Sequence, residues 1–491
     1  MNGSRSAAMP TGYTGTTHGA HHSHEPDIAG TNECAYTVVG GEPHEYRNIT
    51  DSTGADAAGT TLGLGAFVAF FVDNYDIFLP VIALGPAIHY FVPKSLPPLT
   101  AAVTDAMIFA TTLIGRPLGA LIFGHFADTL GRKKVTVVCV FGFGITTLLI
   151  AALPGYQHWG SSVIWAFILL RLIDGVFLGG EYTAANPLAM EQCPKARRGF
   201  YGALIQSAAS LGTAFIAVVT LVVLFFLPGG DLDSPYVQWG WRLPFVMGAV
   251  MAFALGIYYM RSVDESEAWE KAEKKGKTQS PLKTLFRGEN LKSFMQVFVL
   301  MTGFWLLLNA SLAMMPGLLA RNMGIRGTDL TWTLVISYIV LAIVYVLGGV
   351  VSQRIGRRNY LMGSAVISAV LGTAAYYFLL NATPGDLSSI IWLATITTVL
   401  VVMPGALGCV YINERFHTGV RATGFGLGYS LAIILPAFYV FYQAGLAHFM
   451  PFKYTVLVLV VLGAALVFIG AAWGSETKDV DFDAPVPAIE S

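Results

Sequence analysis

TLGLGAFVAFFVDNYDIFLPVI, residues 61–82, is an apolar run broken near its middle by Asp73, Asn74 and Asp76. A helix of about 20 residues crosses the hydrocarbon core of a bilayer, so this run is long enough to span, and its carboxylates lie where charge is most expensive. Comparable runs recur as far as Trp473, and twelve can be separated by turn or charge clusters. They are expected to be helices, because lipid leaves the backbone of any open strand unsatisfied. Composition agrees: 54% of the 491 residues are hydrophobic, 12% are charged and the mean hydropathy is +0.60. That balance excludes an ordinary soluble domain.

The net charge of −1 says nothing about a nucleic-acid partner, and none is expected, whereas the placement of charge predicts a topology. Lys and Arg gather in alternate connections: Arg132, Lys133 and Lys134; Lys195, Arg197 and Arg198; a cluster from Arg261 to Lys292; Arg354, Arg357 and Arg358; then Arg415 and Arg421. The other connections hold Lys94, Arg242, Arg321, Arg326 and Lys453. The positive-inside rule then puts both termini in the cytoplasm, for a chain in the cell membrane. Residues 1–58 read as a disordered cytoplasmic tail without a signal peptide. His18, His21, His22 and His24 in it are taken as solvated rather than metal-binding. Cys34, Cys139, Cys193 and Cys409 show no CxxC spacing, so neither disulfide framework nor metal site is expected. No P-loop, nucleophile motif or nucleotide loop is present, so the chain is expected to be neither an enzyme nor an ATP-driven pump, and to need no cofactor.

The run DESEAWEKAEKKGKTQSPLKTLFRGEN divides six spans from six. The boundaries read as a six-helix bundle over 59–261, a cytoplasmic linker over 262–291, a second bundle over 292–473 and a C-terminal tail over 474–491. GHFADTLGRKK from Gly124 has an echo in GVVSQRIGRRN from Gly349, and Glu191 with Arg198 is matched by Glu414 with Arg421; the offsets are 225 and 223 residues. A duplicated six-helix unit accounts for both. Transporters built from such repeats hold their substrate between the halves near the midplane.

GHFADTLGRKK resembles the loop signature of the major facilitator superfamily. RPLGALIFGHFADTLGRKK, RLIDGVFLGGEY, WGWRLPF and RSVDESEAW are similar, in order and spacing, to the metabolite:proton symporter family within it, with INERFHTGVRATGFGLGY as the best match in the second half. The resemblance implies an all-helical fold of two pseudo-symmetric bundles and symport of small organic acids or zwitterions with protons. It also implies a cytoplasmic latch at Gly124, Asp128, Gly131, Arg132 and Lys133, to which Glu191, Arg198, Glu414 and Arg421 are added. Gln353 departs from the signature where the first half has Asp128, and His417 with Gly419 interrupts a Phe-Pro-Thr-Arg run.

Ionisable residues inside the spans fall in the first half: Asp73 and Asp76, Arg116, then Arg171, Asp174 and Glu181, with Asp105 near an outer end. At a rise of 1.5 Å per residue, Asp76 lies roughly 22 Å along its helix, while Glu181 and Arg116 lie roughly 14 and 12 Å from the inner edge. The three can face one cavity. Arg171 and Asp174 share a helix face with Glu181 and are expected to neutralise each other. A carboxyl group removed from water favours its neutral form, so it can take up a proton and release it when the cavity opens elsewhere. Glu181, Asp76 and Asp73 are the proton-coupling candidates; the competing reading has them paired with Arg116 or Arg171 to fasten helices. Arg116 suits an anionic substrate, since guanidinium binds carboxylate bidentately. Tyr75, Tyr182, Gln206, Asn309 and Tyr439 are candidate substrate contacts, with helix packing the competing reading for Asn309 and Tyr439 as for Trp305 and Gln443. Pro80, Pro86, Pro316, Pro404 and Pro436 fit bends in moving helices.

The leading expectation is proton-coupled symport of a small organic anion or zwitterion by alternating access, with the chain working as a monomer. Two alternatives stand beside it. DNYDIF and GGEY resemble motifs of phosphate:proton symporters, although span seven carries Asn309 where those keep an acid; and a transporter-shaped sensor would bind ligand without moving it.

Overall fold

The computed structural model describes residues 52–93, 98–130, 132–191, 193–262, 281–325, 327–417 and 420–482. The expected tail up to residue 51, residues 263–280 of the linker, and Gly131 lie outside these, as do the side chains of Asp105, Gly124, Asp128 and Arg132. Helix is the only regular structure among the described residues. The main helices are α1 (Ser52–Ile82), α2 (Pro98–Leu130), α3 (Arg132–Ala151), α4 (Ser162–Glu191), α5 (Arg198–Phe226) and α6 (Arg242–Ser262). The second set is α7 (Gly288–Asn322), α8 (Gly327–Ile355), α9 (Arg357–Leu380), α10 (Leu387–Arg415), α11 (Arg421–Leu446) and α12 (Thr455–Trp473). Eleven of them are long and apolar enough, over their described residues, to cross a membrane, and α2 carries a shorter apolar segment, Met107–Phe123. The chain is a multi-pass membrane protein.

Close helix approach sets the first half. Gly115 and Gly119 on α2 face Gly175 and Gly179 on α4, and a Cβ on any of these four would run into the backbone carbonyl of the facing helix, at Leu172, Val176, Thr112 and Arg116 respectively. In lipid, where apolar side chains gain little by leaving one apolar medium for another, small residues that let backbones touch supply the packing energy. Because Gly179 meets the Arg116 carbonyl, this contact also fixes Arg116 level with Glu181.

The second half is more broken, and proline explains where. Pro404 has no N–H and excludes the carbonyl of Leu400 from its helical bond. The Ser368 hydroxyl donates to that carbonyl at 2.8 Å, while Tyr360 donates to Met403 at 3.1 Å. A π-turn at Asn309–Ala313 precedes Pro316, and its Ala310 carbonyl accepts the Tyr376 hydroxyl at 2.8 Å. Neighbouring hydroxyls thus restore backbone bonds that the bends remove.

The halves meet where Gly349 of α8 lies against Gly199 and Ala203 of α5, and where α11 packs on α2 and α4. One end of the molecule carries Lys195, Arg197, Arg198, Arg357 and Arg421 and is called the basic end below. Toward the opposite end a cavity of about 1080 Å³ separates the halves, lined by Pro80 and His89 on one side and by Arg321, Tyr439 and Gln443 on the other.

Candidate functional site

Below that cavity the intramembrane charges divide into two groups. In the first, Arg171 Nη1 donates to Asp76 Oδ2 at 3.0 Å and to Asp174 Oδ2 at 2.9 Å. The remaining oxygens accept hydroxyls, Asp76 Oδ1 from Thr147 at 2.5 Å and Asp174 Oδ1 from Thr146 at 2.9 Å. Arg171 Nη2 also reaches the carbonyls of Asp76 and Ile77. Three helices of the first half are fastened by this cluster, and Asp76 has both oxygens occupied. Arg171 and Asp174 thus pair as the helix spacing suggested, and Arg171 is shared with Asp76. Asp76, one turn from Asp73, reaches Arg171 because α3 and α4 close around that side of α1.

The second group faces the other half. Arg116 Nη2 donates to Asp73 Oδ2 at 3.0 Å, with both side chains about 1% exposed. The guanidinium centre lies 4.6 Å from the ring of Tyr182 and 5.9 Å from that of Tyr429, within reach of cation–π attraction. Arg116 Nε and Asp73 Oδ1 have no hydrogen-bond partner. Glu181 is 1% exposed and neither of its oxygens has one. A buried polar group without a hydrogen-bond partner is costly, and Glu181 carries that cost on both of its oxygens.

Of the expected substrate contacts, Tyr182 joins this group. Its hydroxyl lies 2.5 Å from Ser430 Oγ and 3.1 Å from the Gly426 carbonyl, which ties α4 to α11 across the halves. Tyr75 is elsewhere: fully buried, it donates to the Pro244 carbonyl at 3.0 Å inside the first half. Asn309 Nδ2 donates to the Pro436 carbonyl and leaves its Oδ1 free of hydrogen bonds, and Gln206 Oε1 is likewise unpartnered. Tyr439 lines the wide cavity. Tyr429 was missed by the sequence reading, although it ends the quoted GFGLGY run; its ring meets that of Trp305 edge to face at 5.0 Å, and Trp305 Nε1 donates to the Tyr429 carbonyl.

At the basic end, Arg421 Nη1 pairs with Glu191 Oε1 at 2.6 Å, joining α11 to α4. Glu414 pairs instead with Arg357 at 3.2 Å. Gln353 Oε1 accepts from the Gly199 N–H at 3.2 Å and from Arg357 Nη2 at 2.7 Å. Gln353, set apart by its departure from the signature, thus bridges the halves as an amide. Arg198 makes its contact with the C-terminal segment, donating to the Val480 carbonyl at 2.9 Å.

Among the described residues, twelve main helices in two halves surround a buried cluster of charge, with a cavity toward one end and ion pairs bridging the other, an arrangement that fits a membrane transporter. The profile of the Major Facilitator Superfamily matches residues 62–318 and that of "Sugar (and other) transporter" matches 262–484. The chain belongs to the Major Facilitator Superfamily. It is 30% identical over 381 residues to the inner membrane metabolite transport protein YhjE of Escherichia coli, covering 76% of this chain and 83% of that one. It is 28% identical over 364 residues to a citrate-proton symporter of Salmonella typhi, covering 74% and 81%. The xylose transporter XylE of E. coli, solved in a partially occluded inward open conformation, shares the fold with a TM-score of 0.65 at 16% identity, covering 86% of this chain and 99% of that one.

Proposed function

We propose that the protein is a proton-coupled symporter of a small organic anion or zwitterion, working by alternating access with its basic end and both termini in the cytoplasm. The observation that carries this reading is the Glu181 carboxyl group, buried without a partner beside the Arg116–Asp73 pair. A carboxyl group in that position can hold a proton as a neutral acid and give it up when water or a new charge reaches it. Arg116 offers the substrate a guanidinium with an unused Nε. An arriving carboxylate competes with Asp73 for Arg116, and a proton on Glu181 removes the remaining negative charge from the place it must occupy. Substrate and proton therefore favour each other's binding. Asp76, with both oxygens bonded, serves as a fastener in this account, and the proton-carrying role falls on Glu181 with Asp73 as its partner site. A citrate-proton symporter among the relatives fits the same chemistry. The test is internal acidification of proteoliposomes containing the purified protein, on addition of small carboxylates or zwitterions outside. Acidification with the parent and none with Glu181→Gln is the expected result; substrate uptake by the parent without proton movement refutes the coupling.

A further inference from the structure

Residues 475–482, beyond the last spanning helix, return across the basic end and touch both halves. Glu476 anchors the segment: its carboxylate accepts the backbone N–H groups of Arg357 at 2.8 Å and Arg358 at 3.1 Å, at the start of α9. Gly356 just before it has φ +97°, and a Cβ there would collide with Glu476, so the anchor needs glycine at this turn. Thr477 donates to Glu414 Oε2 at 2.8 Å, and Arg415 donates to the Ser475 hydroxyl at 3.1 Å. All these partners belong to the second half. The last described residues then cross over. The Val480 carbonyl accepts from Arg198 of α5, and the Phe482 ring lies between two guanidiniums, 3.6 Å from Arg198 and 3.8 Å from Arg421.

We infer that this C-terminal segment is a clasp that holds the basic end shut, anchored on the second half by Glu476 and closed on the first by Val480 and Phe482. The inference rests on the alternating-access reading, because the clasp matters only if the halves part at this end. Arg198 and Arg421 come from different halves, and one ring can lie against both only while the halves are together. Two like charges facing each other are also unfavourable, and the negative faces of the ring between them offset that repulsion. When the basic end opens, Phe482 must leave at least one guanidinium and Val480 must lose its donor.

The test uses the full chain in lipid nanodiscs, with spin labels on cysteines placed at the exposed residues Ala196 and Arg354, one from each half, after Cys34→Ser and Cys193→Ser. In the parent, the short distance of the closed basic end is expected to dominate. Phe482→Ala removes two cation–π contacts, and the ratio of separated to closed molecules is expected to rise about tenfold. Phe482→Leu keeps apolar volume without a ring face and should shift with the alanine variant; Phe482→Tyr keeps the ring and should match the parent. Distances in the alanine and leucine variants that match the parent, or a tyrosine variant that shifts as far as alanine, overturn the clasp. The distances need no substrate, so a chain that parts here but moves no protons refutes the symport reading and leaves the clasp standing.

Discussion

Replacing Glu181 by glutamine separates coupling from stability more cleanly than any other change in the membrane-spanning charges. Neither oxygen of Glu181 makes a hydrogen bond, so an isosteric amide breaks no contact on the protein side. Asp73→Asn, by contrast, removes the carboxylate charge that balances the buried Arg116 at 3.0 Å. Breaking one side of such a pair costs about 3–5 kcal/mol. Asp76→Asn falls between them, since Asp174 continues to hold Arg171. Folded yield should therefore fall in the order Glu181→Gln, Asp76→Asn, Asp73→Asn. Transport should fall in a different pattern. With one proton per electroneutral cycle, an inward gradient of about one pH unit supports about tenfold substrate accumulation, which is about 1.4 kcal/mol. Glutamine resembles the permanently protonated acid, so Glu181→Gln should exchange labelled for unlabelled substrate across the membrane and yet accumulate none. The assay is paired counterflow and gradient-driven uptake in the same proteoliposomes. Tenfold accumulation by Glu181→Gln would refute the assignment of the proton to this residue.

Three further outcomes are expected from the fold. Gly119→Val drives a side chain into the α4 backbone at Val176 and should cost about 1–3 kcal/mol or more, read as a lower melting temperature in detergent and loss of the monodisperse peak on size exclusion. Ser368→Ala leaves the Leu400 carbonyl, already without a helical donor because of Pro404, with no hydroxyl, and should lower stability by about 1–3 kcal/mol in the same melting assay. Burial alone would raise the Glu476 carboxyl, but backbone N–H bonds from Arg357, Lys478, Arg358 and Thr477 outweigh it and hold the group below its ordinary value of 4.5. A lowered value in the folded state means that the anchor's contribution is complete above that ordinary value and is lost as pH falls through the lowered one. Protease cleavage within residues 475–482 should therefore rise on acidification below about pH 4.5, and Glu476→Gln should be cleaved readily at neutral pH; equal cleavage of parent and variant at neutral pH contradicts the anchoring.

The architecture was legible because bilayer thickness fixes the length of each apolar run and the repeated loop signals fix the division into halves. Partners inside the membrane were less so. Helical spacing places Arg171, Asp174 and Glu181 on one face, but it cannot say which acid on α1 turns toward which arginine; that depends on how α1, α2, α3 and α4 are rotated against each other. The Gly115/Gly119 and Gly175/Gly179 pairs were the sequence signal that would have fixed the α2–α4 contact and set Arg116 beside Glu181. The contacts at the basic end depend on helix placement in the same way. Glu191 and Arg421 sit on helices that meet across the halves and do pair, whereas Glu414 finds Arg357 within its own half, and Arg198 turns to the C-terminal segment. A tail of ordinary composition gave no hint of that contact, since what holds it is backbone geometry around Glu476 and a ring between two guanidiniums.

On the proposed function, binding and closing fall at two levels of one contact between the halves. In the middle of the membrane, α4 reaches α11 through Tyr182 and Ser430, with Arg116 stacked on Tyr182. At the basic end, the same two helices meet again through Glu191 and Arg421. Any movement of α4 against α11 that opens the basic end thus works on the Tyr182 bond as well, and on the proposed function a substrate that draws Arg116 away from Tyr182 and Asp73 would disturb the same contact from within. Tyr182→Phe removes the hydroxyl but keeps the ring under Arg116, so it should weaken the link between the halves while leaving anion binding in place. Its expected signature is a changed transport rate with a nearly unchanged substrate affinity in equilibrium binding. A variant that instead loses binding outright would show that the Tyr182 hydroxyl contacts the substrate rather than joining the halves.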